Sequence, residues 1–195
     1  MKTLADAWDW YRATKQNLAR MQRLGERHWS DPSLADASIW QDDNFRMVEA
    51  PDIVAETTAS LKPIDDLAVV VLFSVFESRV RDYLIELIKP QAVTITDPIL
   101  KEAADDAMQG VTEGSFYRRV LEPLKKQQRV SAGLITQVDQ VREYRNWVAH
   151  GGRDAPTNNV TPKMAYDRLQ EFLAALGITA ESEEEPSKRP DEELE

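Results

Sequence analysis

The chain has 195 residues, 42% of them apolar and 30% charged, with a net charge of −10 and no cysteine. This length suffices for one domain with its own core, and the lack of cysteine excludes a disulfide framework and cysteine-ligated metal. No apolar run approaches the roughly 18 residues of a membrane span, the start Met1-Lys2-Thr3-Leu4-Ala5-Asp6 lacks the apolar core of a signal peptide, and the acidic balance argues at first against nucleic acid. A cytoplasmic protein without membrane contact is expected.

Residues 4–24 read as a helix, with Leu4, Trp8, Tyr11, Leu18 and Met21 on one stripe and Gly25 as its stop. Residues 26–62 fit neither helix nor strand. Asp31-Pro32 and Ala50-Pro51 break them, while Ile39, Trp40, Phe45, Met47 and Val48 need burial. His28 lies here beside Trp29, far from the only other histidine.

Residues 64–89 form the clearest core helix. Leu72, Phe73, Phe76, Val80, Tyr83, Leu84 and Leu87 recur at three and four, Pro63 suits the first turn, and Pro90 ends it. Glu77 sits at the edge of this apolar face and needs a partner. It either pairs with Arg81 one turn on, or holds an arginine from another helix.

Asp97 caps a helix that opens at Pro98 and closes at Gly110. Ser115 caps another, from Phe116 to about Gln127, with Pro123 forcing a kink or early end. Arg118, Arg119, Lys125, Lys126 and Arg129 make this the most basic region, either a solvated face or a phosphate-binding surface. Residues 162–176 form the last helix, with Met164, Leu169, Phe172, Leu173 and Leu176 inward and Gly177 as stop.

Before that last helix, Ser131 opens and Gly151 stops the helix on which the rest turns. Leu134, Val138, Val141 and Val148 make its apolar stripe, and the missing member of that series is Arg145. An arginine cannot shed its charge, so at a core-facing position it must meet a carboxylate, a phosphate or an interface. Glu77 is one candidate for its resting partner. Arg142, Asn146 and His150 follow at intervals of four, so Asn146 is placed to touch His150 and orient its ring. Arg145 and His150 are five apart, about 140° around an ideal helix. They converge only if Gly151-Gly152 lets His150 swing, or if two copies of the helix meet across a twofold axis. A plain helix end also fits, since histidine suits a C-terminus and glycine follows it.

Every long periodic segment is helical. There is no glycine-rich phosphate loop and no internal repeat. An all-α bundle is expected. Its parts are an N-terminal helix with an irregular extension (1–62), a helical core (63–178) and a tail (179–195). Residues 181–195 hold eight acids and two bases, so −6 of the −10 lies there and −4 on the rest. With Pro186, Pro190 and almost no apolar residue, this acidic tail should be disordered.

Arg145-Asn146-Trp147-Val148-Ala149-His150 resembles the signature of the HEPN superfamily, an arginine, often a polar residue, then a histidine four to six residues on. The helix from Val69 to Leu84 also resembles that family's apolar helix with an embedded glutamate, here Glu77. The resemblance covers roughly residues 64–176 and is to stand-alone bacterial HEPN proteins. It implies a HEPN-like helical bundle that forms a homodimer through its motif helices. It implies a metal-independent endoribonuclease of toxin–antitoxin, abortive-infection or RNA-processing type, with RNA as substrate and an antitoxin or defence-system protein as partner. Carried over by position, His150 is general acid or base at the ribose 2′-OH and leaving oxygen, Arg145 stabilises the phosphorane charge, and Asn146 orients. Glu77 and Arg142 support them. An RNA groove would run over Arg142, Arg145, Arg153, Arg118 and Arg119. One departure is Gly152, where members paired with nucleotidyltransferase antitoxins often carry a modifiable tyrosine. No cofactor or metal is implied, and neither histidine stands at ligand spacing from a carboxylate. The competing reading is a non-catalytic HEPN module that binds a partner protein or nucleotide.

Overall fold

The computed structural model describes residues 1–27, 29, 48–152 and 155–178. The expected acidic tail from 179 to 195, His28, most of the stretch expected to be irregular, and Arg153 lie outside them. The chain is all-α, with no strand among the described residues. Among the described residues no helix is long and apolar enough to cross a membrane.

Helix α1 spans Leu4–Arg27. Asp6 accepts the backbone N–H groups of Lys2 and Thr3, while the Thr3 hydroxyl accepts from Asp6 N, a reciprocal capping box. The helix does not stop at Gly25. That glycine lies where α1 meets the next helix, and a Cβ there would stand 3.0 Å from Val54 Cγ2 and 3.2 Å from Ile53 Cγ2. Its role is close approach, not termination.

Helix α2 runs unbroken for 45 residues, Ala50–Thr94. Pro51 takes its first turn, not Pro63, and it passes through Pro63 and Pro90. So residues 50–62 are helical, and the boundary expected at 62/63 falls inside a helix. Each interior proline deletes a backbone bond and normally kinks or breaks a helix. Here α1 packs antiparallel along both sides of Pro63. Gly25 lies at Val54, Gln22 reaches Thr58 at 3.2 Å, and Tyr11 and Lys15 reach Asp65 at 2.8 and 2.7 Å. Tertiary contact outweighs the local signal. Trp29 is buried, and its Nε1 donates to Val48 O at 3.0 Å just before α2 begins.

Helix α3 covers Pro98–Glu113 with the expected Asp97 cap, which accepts from Ile99 N and Leu100 N at 2.9 and 3.1 Å. It ends at Gly114 rather than Gly110. The helix expected from Phe116 is a π-helical turn, Tyr117–Leu121, running into the short α4, Glu122–Lys126. The ladder widens so that Glu122 N–H reaches Tyr117 O, just before Pro123, which has no N–H to offer. Helix α5 is Ala132–Ala149, capped by Ser131 Oγ at 3.2 Å, and α6 is Pro162–Ala175, capped by Thr161.

One main core unites α1, α2, the π-helical turn with α4, α5 and α6. Phe73 and Phe76 of α2 meet Phe116 edge-on at 5.6 and 5.8 Å, and Phe76 meets Phe172 of α6 at 5.3 Å, the arrangement favoured by ring quadrupoles. Leu134, Val138 and Val141 of α5 close the core. Two residues expected inward are not. Met164 is 38% exposed and Leu87 51% exposed. Leu87 lines a cleft at the far end of α2 rather than the core.

Candidate functional site

Helix α5 presents its stripe as its spacing implies. Leu134, Val138 and Val141 are buried, Val148 packs half-buried against the core, and Arg145 follows them with its guanidinium carbon 5.9 Å from the centre of the Phe73 ring. The cation is therefore held on an apolar face.

Glu77 does not hold it. The carboxylate of Glu77 accepts from Arg81 Nε at 3.0 Å, and Arg81 also donates to the carbonyls of Val111 and Gly114 and lies over Phe116 at 5.4 Å. Glu77 thus serves an arginine of its own helix that ties α2 to the end of α3. Among the described residues, Arg145 has no carboxylate within ion-pair distance. Its one hydrogen bond is from Nη1 to Asn146 Oδ1 at 3.0 Å, and its Nε is buried without a partner. A buried donor left unpaired costs about 1–3 kcal/mol, and a half-buried cation adds to that.

Asn146 is therefore engaged with Arg145, and the expected side-chain contact with His150 is not formed. Only the backbone links the two, through His150 N–H to Asn146 O at 3.0 Å. His150 is the exposed C-cap of α5, with φ −91° and ψ 12°. The end that follows is a Schellman motif. Gly152 N–H bonds Trp147 O and Gly151 N–H bonds Val148 O, each at 3.0 Å. Both glycines have positive φ, 83° and 57°, and a Cβ on Gly152 would stand 2.9 Å from the Trp147 ring. So the two glycines lock the helix end rather than loosen it. The imidazole does not swing back, and the turn of about 140° that separates it from Arg145 persists within one chain.

Arg142 is neutralised. Its Nε donates to Asp139 Oδ1 at 2.6 Å, and its guanidinium lies 5.7 Å over the Tyr117 ring. That contact adds to the core packing between α5 and the basic π-helical turn. Arg118 is exposed and its N–H caps weakly on Ser115 Oγ at 3.5 Å. Arg119 lies instead along Gly110 and Gly114 of α3, and no contact brings it to Arg145. Among the described residues no group of three or more His, Cys, Asp or Glu side chains is placed to hold a metal ion.

One polar cluster was not anticipated. Tyr144, beside Arg145, is buried and donates its hydroxyl to Asp66 Oδ1 at 2.6 Å. Burial, then the Asp66 carboxylate, push its pKa up to about 12. One residue away, Asp65 accepts from Tyr11 at 2.8 Å and from Lys15 at 2.7 Å. Burial raises the Tyr11 pKa, and hydrogen bonds to Asp65 and Tyr11 outweigh desolvation to raise that of Lys15. These pairs join residues 50 or more apart in sequence, and only an aspartate pair beside an apolar run hinted at them.

Compared with protein-family models, with curated proteins and with solved structures, the chain matches none.

Proposed function

We propose that this chain is a metal-independent endoribonuclease of HEPN type, working as a homodimer in a toxin or defence system. The observation that carries the reading is the state of Arg145. A cation set on an apolar face, with a buried Nε unpaired and no carboxylate beside it among the described residues, is costly to keep, and a phosphate would supply the missing charge and acceptors. An exposed histidine, a side chain able to accept and donate a proton, ends the same helix.

The chemistry is transesterification. The ribose 2′-oxygen attacks the adjacent phosphorus as His150 takes its proton, Arg145 stabilises the charge on the phosphorane, and the bond to the 5′-oxygen breaks as that oxygen takes a proton from water. Products are a 2′,3′-cyclic phosphate and a 5′-hydroxyl. Because Arg145 and His150 diverge within one chain, the site is composite, with the arginine of one copy opposite the histidine of the other. Asn146 holds the guanidinium in place through its Oδ1. Arg142, already paired with Asp139, supports the helix rather than the substrate.

The same divergence favours a second reading, a HEPN module that binds a partner protein or nucleotide and cuts nothing. One experiment separates them. The full chain is incubated with structured RNAs in EDTA, alongside Arg145→Ala, His150→Ala and an equal mixture of the two variants. Each variant alone should be inactive. The mixture should regain about a quarter of wild-type cleavage, since half the dimers are mixed and each carries one whole site. Wild-type protein that folds and dimerises but cuts none of these RNAs would overturn the nuclease reading and leave the second.

A further inference from the structure

We infer that the cleft between the end of α2, the π-helical turn with α4, and the end of α6 binds a small amphiphilic carboxylate with an aliphatic body. This site is separate from the α5 end and does not rest on the nuclease reading.

The cleft has a volume of ≈ 440 Å³, within the range of small-molecule sites. Its walls are aliphatic, with Leu84, Leu87 and Ile88 from α2, Val120 and Leu124 opposite, and Leu176 closing one side. Tyr83 is its only aromatic ring among the described residues, so they offer no pair of aromatic faces between which a nucleobase would stack. An unbranched hydrocarbon body suits such walls better than an aromatic one.

Two arginines, Arg119 and Arg129, stand among those walls. Both are exposed, and no carboxylate lies within ion-pair distance of either among the described residues. Both are positioned by unusual backbone. The Arg119 stem packs over Gly114, where a Cβ would come within 2.7 Å of its Cγ, and its guanidinium lies in van der Waals reach of Gly110. It projects from the π-helical turn, a geometry frequent at functional sites. Arg129 follows Gln128, the one non-glycine residue with positive φ (54°) among those described, and strained backbone of this kind clusters at ligand sites. An acidic protein thus keeps two unpaired guanidiniums beside an aliphatic cleft, which is complementary to a carboxylate head and an apolar tail.

The test is calorimetric titration of the full chain with decanoate, below its micellar range. Decanol and decyltrimethylammonium vary the head, and acetate removes the body. Saturable 1:1 binding of decanoate is expected, with decanol at least tenfold weaker and no binding of acetate or the ammonium. Arg119→Gln with Arg129→Gln should bring decanoate down to the affinity of decanol without changing decanol itself. Ala175 lines the cleft, and Ala175→Trp, chosen to obstruct it, should abolish binding of both. Equal affinity for the three ten-carbon probes, or no saturable decanoate binding, overturns the inference. If the arginine variant fails to fold, the head-group series on the wild-type chain decides alone.

Discussion

Tyr144 donates its hydroxyl to Asp66 at 2.6 Å, a bond between residues 78 apart in the chain that fixes α5 to α2 one residue before Arg145. The row that presents the candidate arginine is therefore anchored by a neighbour that takes no part in the chemistry.

Tyr144→Phe removes the donor and leaves Asp66 half-buried with an unmet acceptor. We expect a loss of about 1–2 kcal/mol in denaturant unfolding. The wild type should also show a specific pH dependence. The Tyr144 pKa lies near 10 unfolded and about 12 folded. The stability linked to its proton is thus complete below pH 10 and is lost as pH rises toward 12. Tyr11 and Lys15, both raised, act in the same direction. Tyr144→Phe should flatten part of this alkaline loss; a variant with the same curve as wild type would show that Tyr144 does not titrate as described.

Arg145→Met keeps the length and apolar stem of the side chain and removes the orphaned Nε. We expect a gain of roughly 1 kcal/mol in unfolding free energy together with complete loss of RNA cleavage. Stability gained where activity is lost is the usual mark of a functional residue. A destabilised variant would instead place Arg145 in the structural framework.

Glu77→Gln bears on the other arginine. It weakens the pair with Arg81, which also holds the Val111 and Gly114 carbonyls. A loss of about 1–2 kcal/mol is expected in thermal or denaturant unfolding, with cleavage by the remaining folded protein unchanged. A selective fall in activity would reconnect Glu77 to the site.

Much of α5 was legible in its spacing, because a stripe recurring at three and four is set by helix geometry alone, and an arginine inside it stands out. What the spacing did not carry was the partner. Glu77 lay at a suitable position for either Arg81 or Arg145, and the choice depended on where the α3 carbonyls fell. Prolines and glycines misled for a related reason. Pro63 and Gly25 carry strong local signals of start and stop, but α1 and α2 pack against each other across both, and that contact has no signature within either segment. The Tyr144–Asp66 and Lys15–Asp65 bonds were invisible because their members are far apart in the chain.

Gly25→Val tests that packing. Replacing glycine inside a helix gains some propensity, but the added methyls must enter space already taken by Ile53 and Val54. Overpacking of this kind typically costs about 1–3 kcal/mol, and the variant should melt earlier by circular dichroism. An unchanged melting temperature would mean that α1 and α2 can separate at no cost.

The 45 residues of α2 have a contour of about 68 Å at 1.5 Å each, whereas a compact globule of this chain length is roughly 40 Å across. The particle should therefore diffuse and tumble as an elongated body with high frictional drag. In gel filtration a single copy would elute early, at an apparent mass drawn toward that of a pair. Stoichiometry is best read by sedimentation equilibrium or light scattering, where mass is measured independently of shape.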